Sequence, residues 1–178
     1  VTLSLNDSVL VLNLKIEDQY GCSDEKQQSL YLYKPLVISI FLALLDNYVK
    51  YYVRLNNIQE TVIIENFLTI DLTYNTGIAF GLFSEQTNIT FVLSLIVFFW
   101  LLTQFNNLEN NTMEFYSLAL ILGGAIGNLG ERGYNLITFN DGKVTDFIEL
   151  LFIPSFNFAD SYITIGICML ILSELKNK

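Results

Sequence analysis

The 178-residue chain contains no histidine. That absence removes Ser-His-Asp and Cys-His nucleophile systems, histidine zinc sites and the His-containing zinc peptidase motifs together. Cysteine is scarce as well. Cys22 lies in a polar N-terminal stretch and Cys168 in an apolar run, so neither a disulfide framework nor a thiolate metal cluster is expected. Lysine and arginine number 9 against 18 acidic residues, a net charge of -9. Nucleic-acid binding needs clustered cations and is excluded by that balance. The chemistry left is that of carboxylates and amides, with no metal and no cofactor expected.

What the chain does have is apolar mass: 52% of its residues are hydrophobic, 14% aromatic and only 15% charged. With a mean hydropathy of +0.45, it reads as a membrane protein rather than a soluble domain. A helix needs about 20 apolar residues to cross about 30 Å of hydrocarbon. Four stretches qualify: about Leu30 to Val53, Ile89 to Phe105, Phe115 to Asn128, and Asn157 to Leu172. Pro35 suits the first turn of the first helix. The second stretch is apolar around its whole circumference, as a lipid-facing helix would be, with Trp100 near its end as an interfacial anchor. The predicted fold class is an all-α membrane protein with four transmembrane helices and a small extracytoplasmic β element. The β element is read from Thr61 to Phe83, which is β-branched, aromatic and partly alternating, with an Asn75-Thr76-Gly77 turn. Residues 1–30 read as a polar tail, 31–173 as the membrane domain and 174–178 as a cytoplasmic C-terminal tail. The tail lacks the basic, apolar and small-residue pattern of a cleavable signal peptide.

The polar groups fall on one side. Asp46 and Lys50 come late in the first span, Asn128, Glu131 and Arg132 at the end of the third, and Asn157 and Asp160 at the start of the fourth. Threading the chain back and forth brings all of these ends to the same membrane face, and ionisable groups at such depth usually point into a bundle. Lys15, Lys26, Lys34, Lys176 and Lys178 put five of the 9 basic residues at the termini, which favours both termini in the cytoplasm.

Asp46 and Lys50 are spaced i, i+4 and read first as a structural ion pair. Gly123, Gly124 and Gly127 read as a close helix contact. Asn128 and Arg132 continue that helix, as a grip for a carbonyl or headgroup or, equally, as a snorkelling anchor. Asp146, just after a turn, and Asp160, at the head of an apolar span, are the carboxylates best placed to share a proton. One would then act as base toward water while the other donates to a carbonyl oxygen. A proton-coupled transporter could use the same pair as a relay, and an assembly subunit could use it only to fix helix pairing. The residues alone leave these readings open.

The motifs LDNYVK around Asp46 and Lys50, NTGIAFG (75–81), GGAIGNLGER (123–132), GKVTDF (142–147) and FNFAD (156–160) resemble, in that order, those of lipoprotein signal peptidase, or signal peptidase II. The resemblance covers about Tyr31 to Leu172. It implies an aspartic endopeptidase of the bacterial inner membrane with its active site toward the extracytoplasmic side. The implied partners are membrane lipids and lipid-modified prolipoprotein substrates, cut before a diacylglyceryl-modified Cys, with the enzyme a monomer. By matching motif, Asp146 and Asp160 are the implied catalytic pair. Asn128 and Arg132 position the substrate backbone and lipid, Asn157 orients the dyad or substrate, Asn75 and Gly77 belong to a loop closing over the site, and Asp46 and Lys50 support it. Two features depart from the family. Glu131 stands where Asp usually precedes the Arg, and it is left outside the expected site. The stretch from Arg132 to Gly142 is longer than usual, and an enlarged loop or hairpin is expected there.

Overall fold

The computed structural model describes residues 35–77, 86–104 and 112–176. The expected tail 1–30 and the second half of NTGIAFG lie outside the described residues. Among the described residues, four helices are long and apolar enough to cross a membrane: α1 (Pro35–Leu55), α2 (Thr87–Gln104), α3 (Met113–Phe139) and α4 (Phe158–Lys176). Strands β1 (Thr61–Ile64), β2 (Leu68–Asn75), β3 (Val144–Leu150) and β4 (Ile153–Phe156) form one antiparallel sheet in chain order. This is the expected four-helix membrane architecture with a small β element.

α3 is the central helix, and its small residues explain why. A Cβ at Gly124 would stand 2.3 Å from the Ala159 carbonyl oxygen on α4, and one at Gly127 would stand 2.9 Å from Asp46 Oδ2 on α1. Only glycine lets both neighbours approach so closely. Away from the sheet, Leu101 of α2 packs against Leu118 and Ile121 of α3. Ser39 of α1 donates its hydroxyl to the Ala119 carbonyl at 2.8 Å.

The stretch from Arg132 to Gly142 is not the loop or hairpin expected from the sequence. α3 runs through it to Phe139. At 1.5 Å per residue its 27 residues span about 40 Å, roughly two turns more than the hydrocarbon requires. The physical reason is that 133–139 contains no proline, and the stop comes only at Asn140-Asp141-Gly142. Asn140 takes the left-handed conformation (φ 57°) and its N–H bonds the Leu136 carbonyl, closing the helix. Asn135 Nδ2 then donates to the Lys143 carbonyl at 2.7 Å, tying the helix end to the start of β3.

The β element expected over Thr61 to Phe83 is present as the β1–β2 hairpin, with 78–83 outside the described residues. β3 and β4 extend it beyond what the sequence signals. β3 pairs with β2 so that Thr73 faces Asp146, Tyr74 faces Thr145 and Asn75 faces Val144. The alternation of a strand sends neighbouring side chains to opposite faces. Val144 and Asp146 therefore line a cavity, while Thr145 between them turns toward Glu131 of α3.

Candidate active site

Asp146 on β3 and Asp160 on α4 line one cavity of about 680 Å³, a volume in the range of ligand sites. α3 reaches this cavity with the spacing of one face, through Ala125, Asn128, Leu129 and Arg132, and α4 reaches it with its first two turns, from Asp160 to Ile165. The walls are apolar, including Leu93 and Val97 of α2, so the polar groups converge on a small part of the surface.

α4 begins with Asn157 as its cap. The Asn157 side-chain oxygen accepts the Asp160 N–H at 2.9 Å, and Asp160 Oδ2 accepts the Asn157 N–H at 3.2 Å. This reciprocal pair is a capping box with Asp in place of the usual Glu. It fixes the Asp160 side chain at the helix N-terminus, where the unpaired N–H groups and the helix dipole favour negative charge. Asp160 Oδ1 accepts a second bond, from Asn128 Nδ2 at 2.8 Å.

Asp146 is held from two sides. Asn75 Nδ2 donates to its Oδ2 at 3.1 Å and Asn157 Nδ2 to its Oδ1 at 2.6 Å. Asn157 thus touches both carboxylates. Burial first, and then the negative charge of Asp160, raise the Asp146 pKa from the usual 3.8 to about 7. The amide hydrogen bonds and Lys50 oppose the shift without cancelling it. A carboxyl group that is half protonated near neutrality can serve as an acid there.

The remaining expected residues take distinct places. Gly77 donates its N–H to the Asn75 side-chain oxygen at 2.9 Å, an Asx turn that orients the Asn75 amide toward Asp146. Arg132 lines the cavity, and its guanidinium donates to the carbonyls of Thr76, Gly77 and Gly142 and to Thr90 Oγ1 at 2.7 to 3.2 Å. It therefore joins the β2 exit, the turn before β3 and the head of α2. Lys50, fully buried, pairs with Asp46 Oδ2 at 2.7 Å and donates to Asn128 Oδ1 at 2.7 Å. Asp46 Oδ1 accepts the Ala159 N–H at 2.9 Å, holding the first turn of α4.

Sequence reasoning missed Glu131, Arg54 and Thr145. Glu131 pairs with both Lys50 and Arg54 and accepts both polar hydrogens of Thr145, the neighbour of Asp146. A signal for Arg54 was available: Asp46, Lys50 and Arg54 follow one another at i, i+4 and i+8 on a single helix face. Among the described residues, no three carboxylate or thiol groups come together as a metal site would require.

A family model described as Signal peptidase (SPase) II matches residues 38–176. The chain belongs to the signal peptidase II family. The lipoprotein signal peptidase of Caldanaerobacter subterraneus subsp. tengcongensis is 36% identical over 138 residues, which cover 76% of this chain and 91% of that protein. That of Pelagibacter ubique is 38% identical over 155 residues, covering 80% and 88%. A solved structure described as a bacterial membrane enzyme matches with a TM-score of 0.70 at 27% identity, covering 80% of this chain and 88% of the other. A second matches with a TM-score of 0.68 at 28% identity, covering 81% and 94%. As a signal peptidase II, the chain is an aspartic peptidase and a multi-pass bacterial membrane protein. The transporter reading finds no support in these relatives.

Proposed function

We propose that this signal peptidase II removes the signal peptide from lipid-modified prolipoproteins, with Asp146 and Asp160 as its catalytic acid and base. The observation that carries the reading is the convergence of two carboxylates, from β3 and α4, on one polar corner of an otherwise apolar cavity, with Asn157 bonded to Asp146 through its side-chain amide and to Asp160 through its backbone N–H. Asp146 holds the proton near neutral pH and donates it to the scissile carbonyl oxygen. Asp160 takes a proton from the attacking water as the new C–O bond forms. When the tetrahedral gem-diol collapses, Asp160 returns that proton to the leaving nitrogen and the C–N bond breaks. Asp146 takes a proton back from one of the two hydroxyls as the new carboxyl group forms, which restores the dyad.

The substrate is held by the same division of the cavity. Its acyl chains lie along the apolar walls, where burial contributes about 25 cal/mol per Å². Asn157 orients the dyad through its bonds to both carboxylates, Asn128 holds Asp160 and faces the substrate backbone, and Asn75 and Gly77 close over the site. Arg132 holds that closing segment in place through its bonds to the Thr76 and Gly77 carbonyls. Asp46 and Lys50 support the first turn of α4 and Asn128. The enzyme works as a monomer in the bacterial inner membrane, with both termini cytoplasmic and the cavity toward the extracytoplasmic side. The five lysines near the termini support that orientation.

The test is incubation of the purified protein with a diacylglyceryl-modified precursor, alongside Asp146→Asn, Asp160→Asn and an unlipidated precursor. Asn keeps size and hydrogen bonding but removes the titratable proton, so either variant is expected to bind a substrate-like peptide and not cleave it. Unlipidated precursor is expected to be a poor substrate. Full cleavage by either Asn variant, or equal cleavage of both precursors, would falsify the reading. Reporter fusions in the 105–112 link are expected to be cytoplasmic.

A further inference from the structure

The dyad accounts for the chemistry but not for a fully paired set of charges behind it. Arg54, Glu131 and Thr145 form a closed triangle on the face of β3 opposite the cavity. Arg54 Nη1 donates to Glu131 Oε1 and, at 3.1 Å, to Thr145 Oγ1. The Thr145 hydroxyl donates to Glu131 Oε1 at 2.6 Å, and the Thr145 N–H to Glu131 Oε2 at 3.1 Å. β4 pairs only with Ile148 and Leu150 of β3, so no β4 residue faces Val144 to Asp146. Glu131 takes a strand N–H there that would otherwise be buried without a partner.

We infer that Arg54 and Glu131 are positioning residues for Asp146, acting through Thr145 to set where the Asp146 carboxyl stands relative to Asp160. The inference rests on the dyad reading above. Thr145 is fully buried and adjoins Asp146, so a shift of this backbone moves the carboxyl with it. The clamp also reaches the other carboxylate. Glu131 Oε2 pairs with Lys50 Nζ at 3.2 Å, and Lys50 holds the Asn128 oxygen, leaving the Asn128 amide nitrogen to donate to Asp160. One side chain on α3 thereby references both carboxylates to α1. Glu131, with one more methylene than Asp, is long enough to span from α3 to both polar groups of Thr145.

A misplacement of about 1 Å in reacting groups costs up to roughly 100-fold in rate. The experiment measures kcat and KM per folded molecule, on the lipidated precursor, for Glu131→Gln, Thr145→Val, Arg54→Met and Arg54→Lys, with Asp146→Asn as reference. Thr145→Val removes only the hydroxyl corner of the triangle, and Arg54 is 30% exposed in its side chain, so these variants remain informative where Glu131→Gln fails to fold. The expected result is a kcat lowered about tenfold or more at unchanged KM in Thr145→Val and Arg54→Met, with Arg54→Lys recovering most of the loss. A kcat within about twofold of the parent in both, or a loss carried by KM or by the amount of folded protein, overturns the inference. An active Asp146→Asn instead defeats the dyad reading itself, so the two failures are told apart.

Discussion

α2 and α3 are both apolar enough to cross a membrane, yet only 11% of the α2 span is buried inside the protein against 50% of the α3 span. Apolarity takes a helix into the bilayer and does not say what it will touch there. Lipid tails are as apolar as leucine, so helices associate through close packing and polar pairing instead. α2 presents Val92, Ile96, Phe99 and Trp100 outward, with no glycine in the helix. α3 carries Gly123, Gly124, Gly127, Asn128, Glu131 and Arg132, and these draw α1, α4 and β3 onto it.

The largest test of that contrast is Gly124→Val. Its side chain would overlap the Ala159 backbone and Ile163, pushing α4 and Asp160 off α3, and overpacking of this kind typically costs about 1–3 kcal/mol or more. We expect a lowered melting temperature and cleavage reduced to near background. Wild-type activity in a folded Gly124→Val protein would show that α4 is not held by this contact.

Asp46→Asn comes next. It breaks the fully buried Asp46–Lys50 pair but leaves Lys50 with Glu131, and Asn can still accept the Ala159 N–H. The expected loss of stability is below the roughly 3–5 kcal/mol typical of breaking a buried pair. Activity per folded molecule should remain, and an inactive but fully folded variant would move Asp46 into the catalytic shell.

A smaller effect is set by pH. The folded protein holds a proton on Asp146 up to about pH 7, whereas the unfolded chain releases it near the usual 3.8. The native state therefore binds more protons in that window, so this group's contribution to stability falls as pH rises from about 4 to 7 and is constant above. Asp146→Asn should flatten that slope in thermal melts, and cleavage by the parent should decline as pH rises through about 7. An unchanged slope in the variant would assign the titration elsewhere. The smallest effect belongs to α2: Phe99→Leu, at a position 60% exposed, is expected to change stability by no more than about 0.5 kcal/mol. A large change there would mean that α2 packs against something other than lipid.

The sequence made the four spans legible because hydropathy is a local property, and it brought Asp46, Asn128, Asn157 and Asp160 to one side because alternation of spans is simple topology. It did not show that 133–139 continues α3, since Arg132, Asn135 and the interrupted apolar pattern read as a surface turn until Asn140 and Gly142 reveal the real stop. β3 and β4 were hidden for another reason: Val144 to Leu150 is a strand because β2 is beside it, a relation between distant segments. Glu131 and Thr145 were illegible likewise, since their pairing joins α3 to a strand whose existence was not foreseen.

The capping box that opens α4 also bears on when the enzyme becomes dangerous to its surroundings. Of the residues around the dyad, Asn75, Asn128 and Asp146 all precede Asp160 in the chain. Asp160 is the last to be synthesised and acquires its geometry only when α4 has started its first turn and docked on α3. A nascent chain still emerging into the bilayer therefore owns one carboxyl group without its counterpart. On the proposed dyad, a product truncated before Asn157 carries Asp146 alone and is expected not to cleave.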